Sequence, residues 1–200
     1  MELQRWQELY ARAERAARAF FAEHVGDVCA RCFQASEERH EPSLNCCRRT
    51  NFVPDLISDP LLGGLAEESL GHTLLPLSGN HNLPGCAALG PDGCRIPLGR
   101  PDACNAYLCD HLYRCMASAL PATTMCLIVD ALEVFSTITG ARLSGSPSCE
   151  ACAGQVEELA TLLADASQRL SGHCQAFAAC KTQTVAEMLP PQPGDDRWPP

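Results

Sequence analysis

Fourteen cysteines in 200 residues constrain this chain more than any other feature of its sequence. An even number lets every cysteine pair, so a secreted scaffold held by disulfides is one interpretation. The N-terminus argues against it, because residues 1–8 carry early acidic side chains and lack the apolar segment of a secretory signal. In a reducing cytosol, clustered cysteines stay thiols and serve as metal ligands or redox groups. We therefore expect a cytoplasmic protein with metal-binding cysteines.

The charge balance limits the classes of partner. The formal net charge is −9, and the 15 basic residues do not form the basic patch that nucleic-acid binding needs. The densest basic group, residues 12–18, alternates with alanine and Glu14 and indicates the solvated face of a helix. Residues 125–139 are apolar but contain Asp130 and Glu133, and they fall short of the ~20 apolar residues of a membrane span. We expect no nucleic acid and no membrane as partners, and the sequence identifies no protein partner.

Helical periodicity dominates both ends of the chain. Apolar side chains in residues 2–24 recur at steps of three and four, which predicts an amphipathic helix with one apolar stripe. Similar signals predict four further helices, over residues 102–119, 122–139, 147–172 and 173–189. Gly140 is the predicted end of the helix over 122–139. Stripes of this kind indicate an antiparallel helical bundle.

The middle of the chain has a different composition. Turn-forming residues recur over residues 41–101, where the one helical signal is weak and lies near Gly64–Leu70. Such a stretch needs a constraint, which metal ligation would supply. We expect a mostly α fold, a small helical bundle with a cysteine-rich, irregular metal-binding middle segment. We expect an N-terminal amphipathic helix at residues 1–28 and a cysteine-cluster metal-binding region at 29–110. A helical bundle at 111–189 and a disordered tail at 190–200 complete the predicted organisation.

Four candidate ligands come early in the chain. Cys29 and Cys32 form a C-x-x-C unit, and adjacent Cys46 and Cys47 follow after thirteen residues. The short C-x-x-C loop lets two thiolates converge on one metal. A redox dithiol is the rival interpretation, but its usual βαβ context is not evident. Neighbouring side chains diverge in extended backbone, so which members of this group bind metal stays open.

A second group, Cys86, Cys94, Cys104 and Cys109, has the better ligand context. The first two lie in turn-rich sequence, where backbone N–H groups can bond to sulfur. Cys104 follows Arg100-Pro101 at the start of a predicted helix, and a helix N-terminus favours an anionic sulfur. Arg100 either stabilises the negative charge of a thiolate site or forms an ordinary surface ion pair.

For the remaining six cysteines, buried packing is as good an interpretation as a reactive or metal-binding role. Cys115 and Cys126 lie singly in apolar helical patterns, which favours buried packing roles. Cys149 and Cys152 share a helix face, and they either pack or form a further site with Cys174 or Cys180. Solvated loop positions are favoured over ligation for three histidines near the cysteine-rich part, His72, His81 and His111.

The cysteine pattern resembles the YkgJ-like family of zinc- or iron-chelating domains. That family shows C-x-x-C, a Cys-Cys pair, and then a later pair of cysteines followed by Arg-Pro and two more cysteines. The resemblance covers residues 29–110 and is most specific in the run from Cys94 through Arg100-Pro101 to Cys109. It implies that the metal ligands are Cys29, Cys32, Cys46, Cys47, Cys86, Cys94, Cys104 and Cys109. A more remote relative, flagellin lysine methylase, is an iron–sulfur protein, so the resemblance keeps an enzyme role open.

Zinc and iron–sulfur clusters both use thiolate tetrads, and spacing alone does not separate them. We expect a metal-binding protein that holds an iron–sulfur centre, such as a 4Fe–4S cluster, or zinc; the resemblance favours iron–sulfur. The alternatives are a redox or methyl-transfer-type enzyme that uses an iron–sulfur cluster and a zinc-stabilised interaction module. The sequence shows no phosphate-binding loop, no H-E-x-x-H and no G-x-S-x-G motif, and it identifies no catalytic residue.

Overall fold

The computed structural model describes residues 2–28, 30–31, 34, 53–78, 86–90, 93–105, 108–143 and 149–188. These residues are mostly helical, which confirms the predicted α class. The helices are α1 (Glu2–His24), α2 (Val53–Ser58), α3 (Pro60–Leu70), α4 (Leu75–Ser78), α5 (Asp102–Asn105), α6 (Asp110–Ala119), α7 (Ala122–Leu143), α8 (Cys149–Gly172) and α9 (Cys174–Met188). Strands β1 (Leu89–Gly90) and β2 (Gly93–Cys94) pair antiparallel between α4 and α5.

The most extensive helix packing in the described residues joins α8 to α7 and to α1, and we call these three helices the helical frame. The apolar stripe of α1 is buried from Trp6 to Phe20, as its periodicity predicted. The Tyr10 ring meets the Phe135 ring of α7 edge-on, with 5.8 Å between the ring centroids. Helix α8 buries a matching stripe that includes Leu159. Full burial of a large apolar side chain contributes about 1.5–3 kcal/mol, so apolar packing accounts for the frame.

The helices of the frame are not all antiparallel. Five residues, 144–148, join α7 to α8, and a connection this short places the two helices antiparallel. Arg12 of α1 contacts Glu157 of α8, and His24 contacts Ser167 further along both helices. Because both contacts advance in the same direction, α1 and α8 run parallel. Helix α7 therefore runs antiparallel to both α1 and α8, as the expected antiparallel bundle requires, while α1 and α8 run parallel to each other.

Residues 53–78 form three helices, although the sequence predicted a single weak one near Gly64–Leu70. Helix α3 begins at Pro60 because the Asp59 side chain caps it, accepting hydrogen bonds from two backbone N–H groups at 3.0 and 3.2 Å. It ends at Gly71, whose φ of 71° suits a left-handed C-cap. This part of the middle segment is regular, which corrects the expectation of an irregular segment throughout.

Two predicted helix boundaries are wrong. The helix predicted over 102–119 is two helices, α5 and α6, and the second begins after Cys109, whose backbone is extended at φ −66° and ψ 150°. Gly140 does not end α7, which continues to Leu143. The flanking Ile138 and Thr139 are buried, and one interior glycine costs only about 1 kcal/mol. The predicted helix start at Ser146-Pro147 and the tail at 190–200 lie outside the described residues.

Helix α7 is also long and apolar enough, over Ala122–Gly140, to cross a membrane by length and composition. This stretch is longer than the sequence interpretation allowed. The core helix of a folded domain passes the same test, and α7 buries Ile128 and Phe135 in the frame. Its charged residues Asp130 and Glu133 are exposed on the opposite side.

Candidate metal centre

The antiparallel hairpin brings Cys86 and Cys94 together at the start of residues 86–105, which we call the cysteine loop. Leu89 pairs with Cys94 across the hairpin, and the next residue, Arg95, donates its backbone N–H to the Ala88 carbonyl at 2.8 Å. Both thiols are half-buried. They are close enough that a charge on Cys86 raises the pKa of Cys94. The second ligand group thus contributes a thiol pair.

The surroundings of the Cys94 sulfur combine burial with positive charge. Burial is the largest influence and raises the pKa of the Cys94 thiol. The charge of Arg100, the backbone N–H of Ile96 and the charge of Arg18 all act in the opposite direction. The metal-free thiol therefore stays protonated at neutral pH, whereas a bound metal would favour the thiolate outright.

Arg100 holds the cysteine loop in shape. Its Nε donates to the Ile96 carbonyl at 2.8 Å and its Nη2 to the Cys94 carbonyl at 3.3 Å. The side chain is half-buried and bonds to backbone. Of the two roles considered for this residue, these contacts favour a place in the site over a surface ion pair.

A buried carboxylate of α1 fastens the loop to the helical frame. Glu14 is fully buried and accepts hydrogen bonds from the backbone N–H groups of Gly99 at 2.6 Å and Arg100 at 3.1 Å. The Tyr10 hydroxyl donates to the Arg100 carbonyl, and the Asn105 side-chain amide donates to the same carbonyl at 3.3 Å. Burial raises the pKa of Glu14, and the donors around it lower the pKa only in part. The Arg100-Pro101 motif is thus a docking point.

The other side of the loop rests on α3, and Gly99 makes this approach possible. Its φ is 84°, and a Cβ atom there would lie 2.3 Å from the Leu62 carbonyl oxygen and 2.7 Å from the Ala66 nitrogen. Only glycine tolerates both the conformation and the distance. Next to it, the Leu98 N–H donates to the Ser69 hydroxyl at 3.2 Å. The loop is therefore held between two helices.

The solvated face predicted for residues 12–18 is wrong for two of its members. Glu14 is fully buried and Arg18 is half-buried, whereas the other arginines of the group are exposed. The burial of Glu14 is indicated by its position in the helical repeat, because it follows Tyr10 by four residues and precedes Ala17 by three. Those steps place it on the buried stripe of the helix. His24, the last residue of α1, is also buried.

The other two cysteines of the second group differ in environment. Cys104 is exposed in the single turn of α5. Cys109 is half-buried at the N-cap of α6, where its sulfur accepts the Leu112 N–H at 3.4 Å. Cys104 thus lies at the start of a helix, as predicted, and Cys109 lies at the start of the next one. Within the described ranges, no three His, Cys, Asp or Glu side chains lie close enough to hold one metal, so neither residue completes a three-ligand group with the hairpin pair.

The cysteines outside the predicted ligand set are divided between core and surface. Cys115 is buried and its thiol donates to the Cys180 carbonyl at 3.1 Å, which confirms a packing role. Cys152 and Cys180 are also buried. Cys126 is exposed, so the buried role predicted for it is wrong, and Cys174 is exposed as well.

Part of the predicted site cannot be placed. His72 is exposed, as expected, with its Nδ1 3.0 Å from the Leu70 carbonyl oxygen. The described residues do not include the four early candidate ligands, Cys29, Cys32, Cys46 and Cys47, or His81. The side chains of His111 and Cys149 also lie outside the described part of the chain.

Comparisons with family models, with curated proteins and with solved structures find no match for this chain. The resemblance to YkgJ-like domains therefore stays a prediction. The site itself offers two neighbouring thiols on a short hairpin, with two guanidinium groups beside them. Such a pair supplies half of the four ligands that zinc and iron–sulfur clusters take.

Proposed function

We propose that this protein binds a metal through cysteine thiolates, as an iron–sulfur centre or as zinc, with Cys86 and Cys94 among the ligands. The observation that carries the proposal is the proximity of two thiols, Cys94 on the hairpin and Cys86 just before it, in a region that Arg100 and Arg18 make positive. Thiolates that share a metal repel one another and lose hydration on burial, so a thiolate site needs positive charge nearby. A cytoplasmic setting, in which thiols stay reduced, is part of the same proposal.

A complete site needs further ligands. Cys109 is suited to the role, because the positive end of α6 favours an anionic sulfur at its N-cap. Cys104 is exposed, so its thiol is accessible to a metal ion from solution. The early group, Cys29 to Cys47, supplies four more thiols in the sequence. A thiolate tetrad would draw on these sets to complete the hairpin pair.

Metal analysis of anaerobically purified protein tests the proposal. Iron with acid-labile sulfide, and a visible absorption band that dithionite bleaches, identify an iron–sulfur centre. Colourless protein with stoichiometric zinc identifies a zinc site. Protein that contains no stoichiometric metal, and that takes up neither zinc nor a reconstituted cluster, overturns the proposal. Reversible bleaching and reoxidation would favour the redox-enzyme alternative over a structural role.

Matched cysteine variants locate the site. Cys86→Ser and Cys94→Ser are expected to lose most of the bound metal, because a hydroxyl is a poor replacement for a thiolate. Cys126→Ser and Cys174→Ser remove exposed thiols from α7 and α9 and are expected to keep wild-type metal content. Circular dichroism of each variant shows whether the helices are intact. Equal metal content in all four variants would exclude the hairpin pair as ligands.

A further inference from the structure

Two buried cysteines meet where α9 packs against α6. Cys115 lies on α6 and Cys180 lies on α9. The Cys115 thiol donates a hydrogen bond to the Cys180 carbonyl oxygen at 3.1 Å, so its sulfur lies against the residue that carries the second sulfur. The two positions are 65 residues apart in the chain, and the fold brings them to one interface. Neither cysteine belongs to the predicted ligand set, and the proposed function does not use them.

The two cysteines lie on apolar helix faces that pack on each other. Leu112 precedes Cys115 by three residues, Phe177 precedes Cys180 by three, and all four side chains are buried. A spacing of three places each pair on one face of its helix. An alanine or a valine would also fill these positions, so packing explains the burial of the cysteines. Sulfur on both sides of the interface adds the capacity to form a covalent bond, which packing does not require.

Helix α9 can expose this thiol pair without unfolding the helical frame. In the described residues it packs mainly on α6 and makes few contacts with α8, although α8 directly precedes it in the chain. Lys181 also ties it to the segment after α1, through a hydrogen bond of 3.1 Å to the exposed Asp27 carboxylate. Elements with few buried contacts open locally at a lower free-energy cost than the core does. A small reagent can therefore reach both thiols when α9 opens.

We propose that Cys115 and Cys180 form a disulfide under oxidising conditions, which makes the α6–α9 interface a redox-responsive site. The oxidant is a small disulfide of the glutathione type. One protein thiolate attacks it, forms a mixed disulfide and releases one glutathione thiolate. The second protein thiolate then attacks the protein-bound sulfur and releases the other glutathione thiolate. Two protein thiols are oxidised, one glutathione disulfide is reduced, and the protons of the protein thiols pass to the two released thiolates.

The disulfide would join α9 covalently to α6. In reducing compartments such bonds are transient and serve redox sensing or catalysis. The bond between residues 115 and 180 closes a loop that contains all of α7 and α8, so it restricts the unfolded chain and stabilises the folded one. Neither sulfur is a proposed metal ligand, and the inference therefore stands apart from the proposed function.

Oxidation of the whole chain with glutathione disulfide tests the inference. The protein carries Cys126→Ser and Cys174→Ser, because the tryptic fragments 115–142 and 170–181 each contain one of these exposed cysteines. Remaining thiols are blocked with iodoacetamide, and the digest is analysed by mass spectrometry without reduction. We expect the two fragments to be joined, at a mass two hydrogen atoms below their sum, and dithiothreitol to separate them. The oxidised protein should also unfold at a higher urea concentration than the reduced protein.

Two variants in the same background separate this pair from other thiols. Cys180→Ala should lose the joined fragments and the rise in the urea midpoint. Cys152→Ala removes a buried thiol of α8 and should keep both. Circular dichroism shows whether each variant is folded, and wild-type protein treated in parallel shows through glutathione on exposed Cys126 that the oxidant is active.

Three outcomes would overturn the inference. The first is an active oxidant that leaves the two fragments of the folded protein separate. The second is a link from Cys115 or Cys180 to a different cysteine in preference to this one. The third is a share of the Cys115–Cys180 link, among all disulfides formed, that is no larger in folded than in urea-unfolded protein, because the fold would then not bring the two thiols together.

Discussion

The helical frame and the cysteine loop are held in place by different forces. In the frame, α1, α7 and α8 bury apolar stripes. Apolar contacts such as that of Tyr10 with Phe135 depend on the fit of the side chains and need no directed hydrogen bond. In the loop, short strands and turns depend on directed hydrogen bonds to Glu14 and Ser69, and on one glycine, Gly99. Three of the candidate ligands, Cys86, Cys94 and Cys104, lie in the second region.

This difference shows how a helical scaffold can position the proposed metal site. The loop adds only small side chains and Ile96 to the buried apolar core, so buried polar contacts also fix it on the frame. A buried hydrogen bond contributes only about 0.5–1.5 kcal/mol, but leaving one partner unpaired costs about 1–3 kcal/mol. Asn105 Oδ1, at the end of the loop, is a buried acceptor without a hydrogen-bond partner among the described residues. Metal ligation would add the constraint that packing does not supply.

The largest effect is expected from breaking the frame. Phe135→Ala removes a fully buried ring and should lower the free energy of unfolding by about 3–5 kcal/mol. Urea denaturation followed by far-UV circular dichroism measures it. Thr137→Ala, at an exposed position of the same helix, is the control and should be close to wild type. A loss for Phe135→Ala no greater than that of the control would show that α7 is not part of the core.

A smaller loss, confined to the loop, is expected from Glu14→Ala. The substitution leaves the N–H groups of Gly99 and Arg100 without their acceptor and should cost about 2–3 kcal/mol. The helical signal should persist while metal binding weakens, because the loop loses its attachment to α1. Glu8→Ala, exposed on the same helix, serves as the control. Wild-type metal affinity in Glu14→Ala would mean that the loop does not need this attachment.

The pH dependence of the frame should show the contribution of His24. Burial, and then the charge of Lys181, lower the pKa of His24 below its ordinary value of 6.5, against the opposing effect of Glu23. The unfolded chain therefore binds the proton more readily, so stability from His24 is complete above pH 6.5 and falls as the pH drops below it. One proton changes the stability by at most about 1.4 kcal/mol per pH unit.

His24→Gln isolates this effect. Glutamine can keep a hydrogen bond to the Ser167 hydroxyl, which lies 2.8 Å from His24 Nε2 in the wild type, but it does not titrate. Urea denaturation at a series of pH values should show a shallower fall below pH 6.5 in the variant than in the wild type. Parallel curves for the two proteins would contradict the assignment.

The smallest effect is expected at the exposed contact between α1 and α8. Arg12 and Glu157 form an ion pair with both side chains largely in solvent. Such pairs contribute about 0–1 kcal/mol, so Arg12→Gln should change stability by less than any substitution above. High salt should remove the difference between variant and wild type. A loss as large as that of Glu14→Ala would show that this pair has a structural role comparable to the loop attachment.

The frame could be predicted from the sequence because its signals are local. The stripe in residues 2–24 predicts α1 with its observed bounds, and the long helix ending near Gly172 is also confirmed. The ends of α3 are also marked by local signals, Asp59-Pro60 at its start and Gly71 at its end. The end predicted at Gly140 failed because tertiary packing overrides a weak local preference.

The loop could be predicted only in part. The cysteine spacing and the turn residues predict a site, and two of the predicted ligands, Cys86 and Cys94, lie near each other at the hairpin. Its attachment to Glu14 joins residues 85 positions apart, and no local pattern reports such a contact. The charges of residues 12–18 alone predict a solvated face, which is wrong for Arg18. The position of each residue relative to the apolar stripe of the helix is the sequence feature that indicates burial.

Hydrogen exchange of the metal-loaded protein and of the same protein after chelation tests the account most directly. If metal ligation orders the cysteine loop, its removal should speed exchange in peptides covering residues 86–105. Peptides from α7 and α8 should change little, because apolar packing holds those helices. Unchanged exchange in the loop, or an equal increase in loop and frame, would contradict the claim that the metal site lies in the cysteine loop.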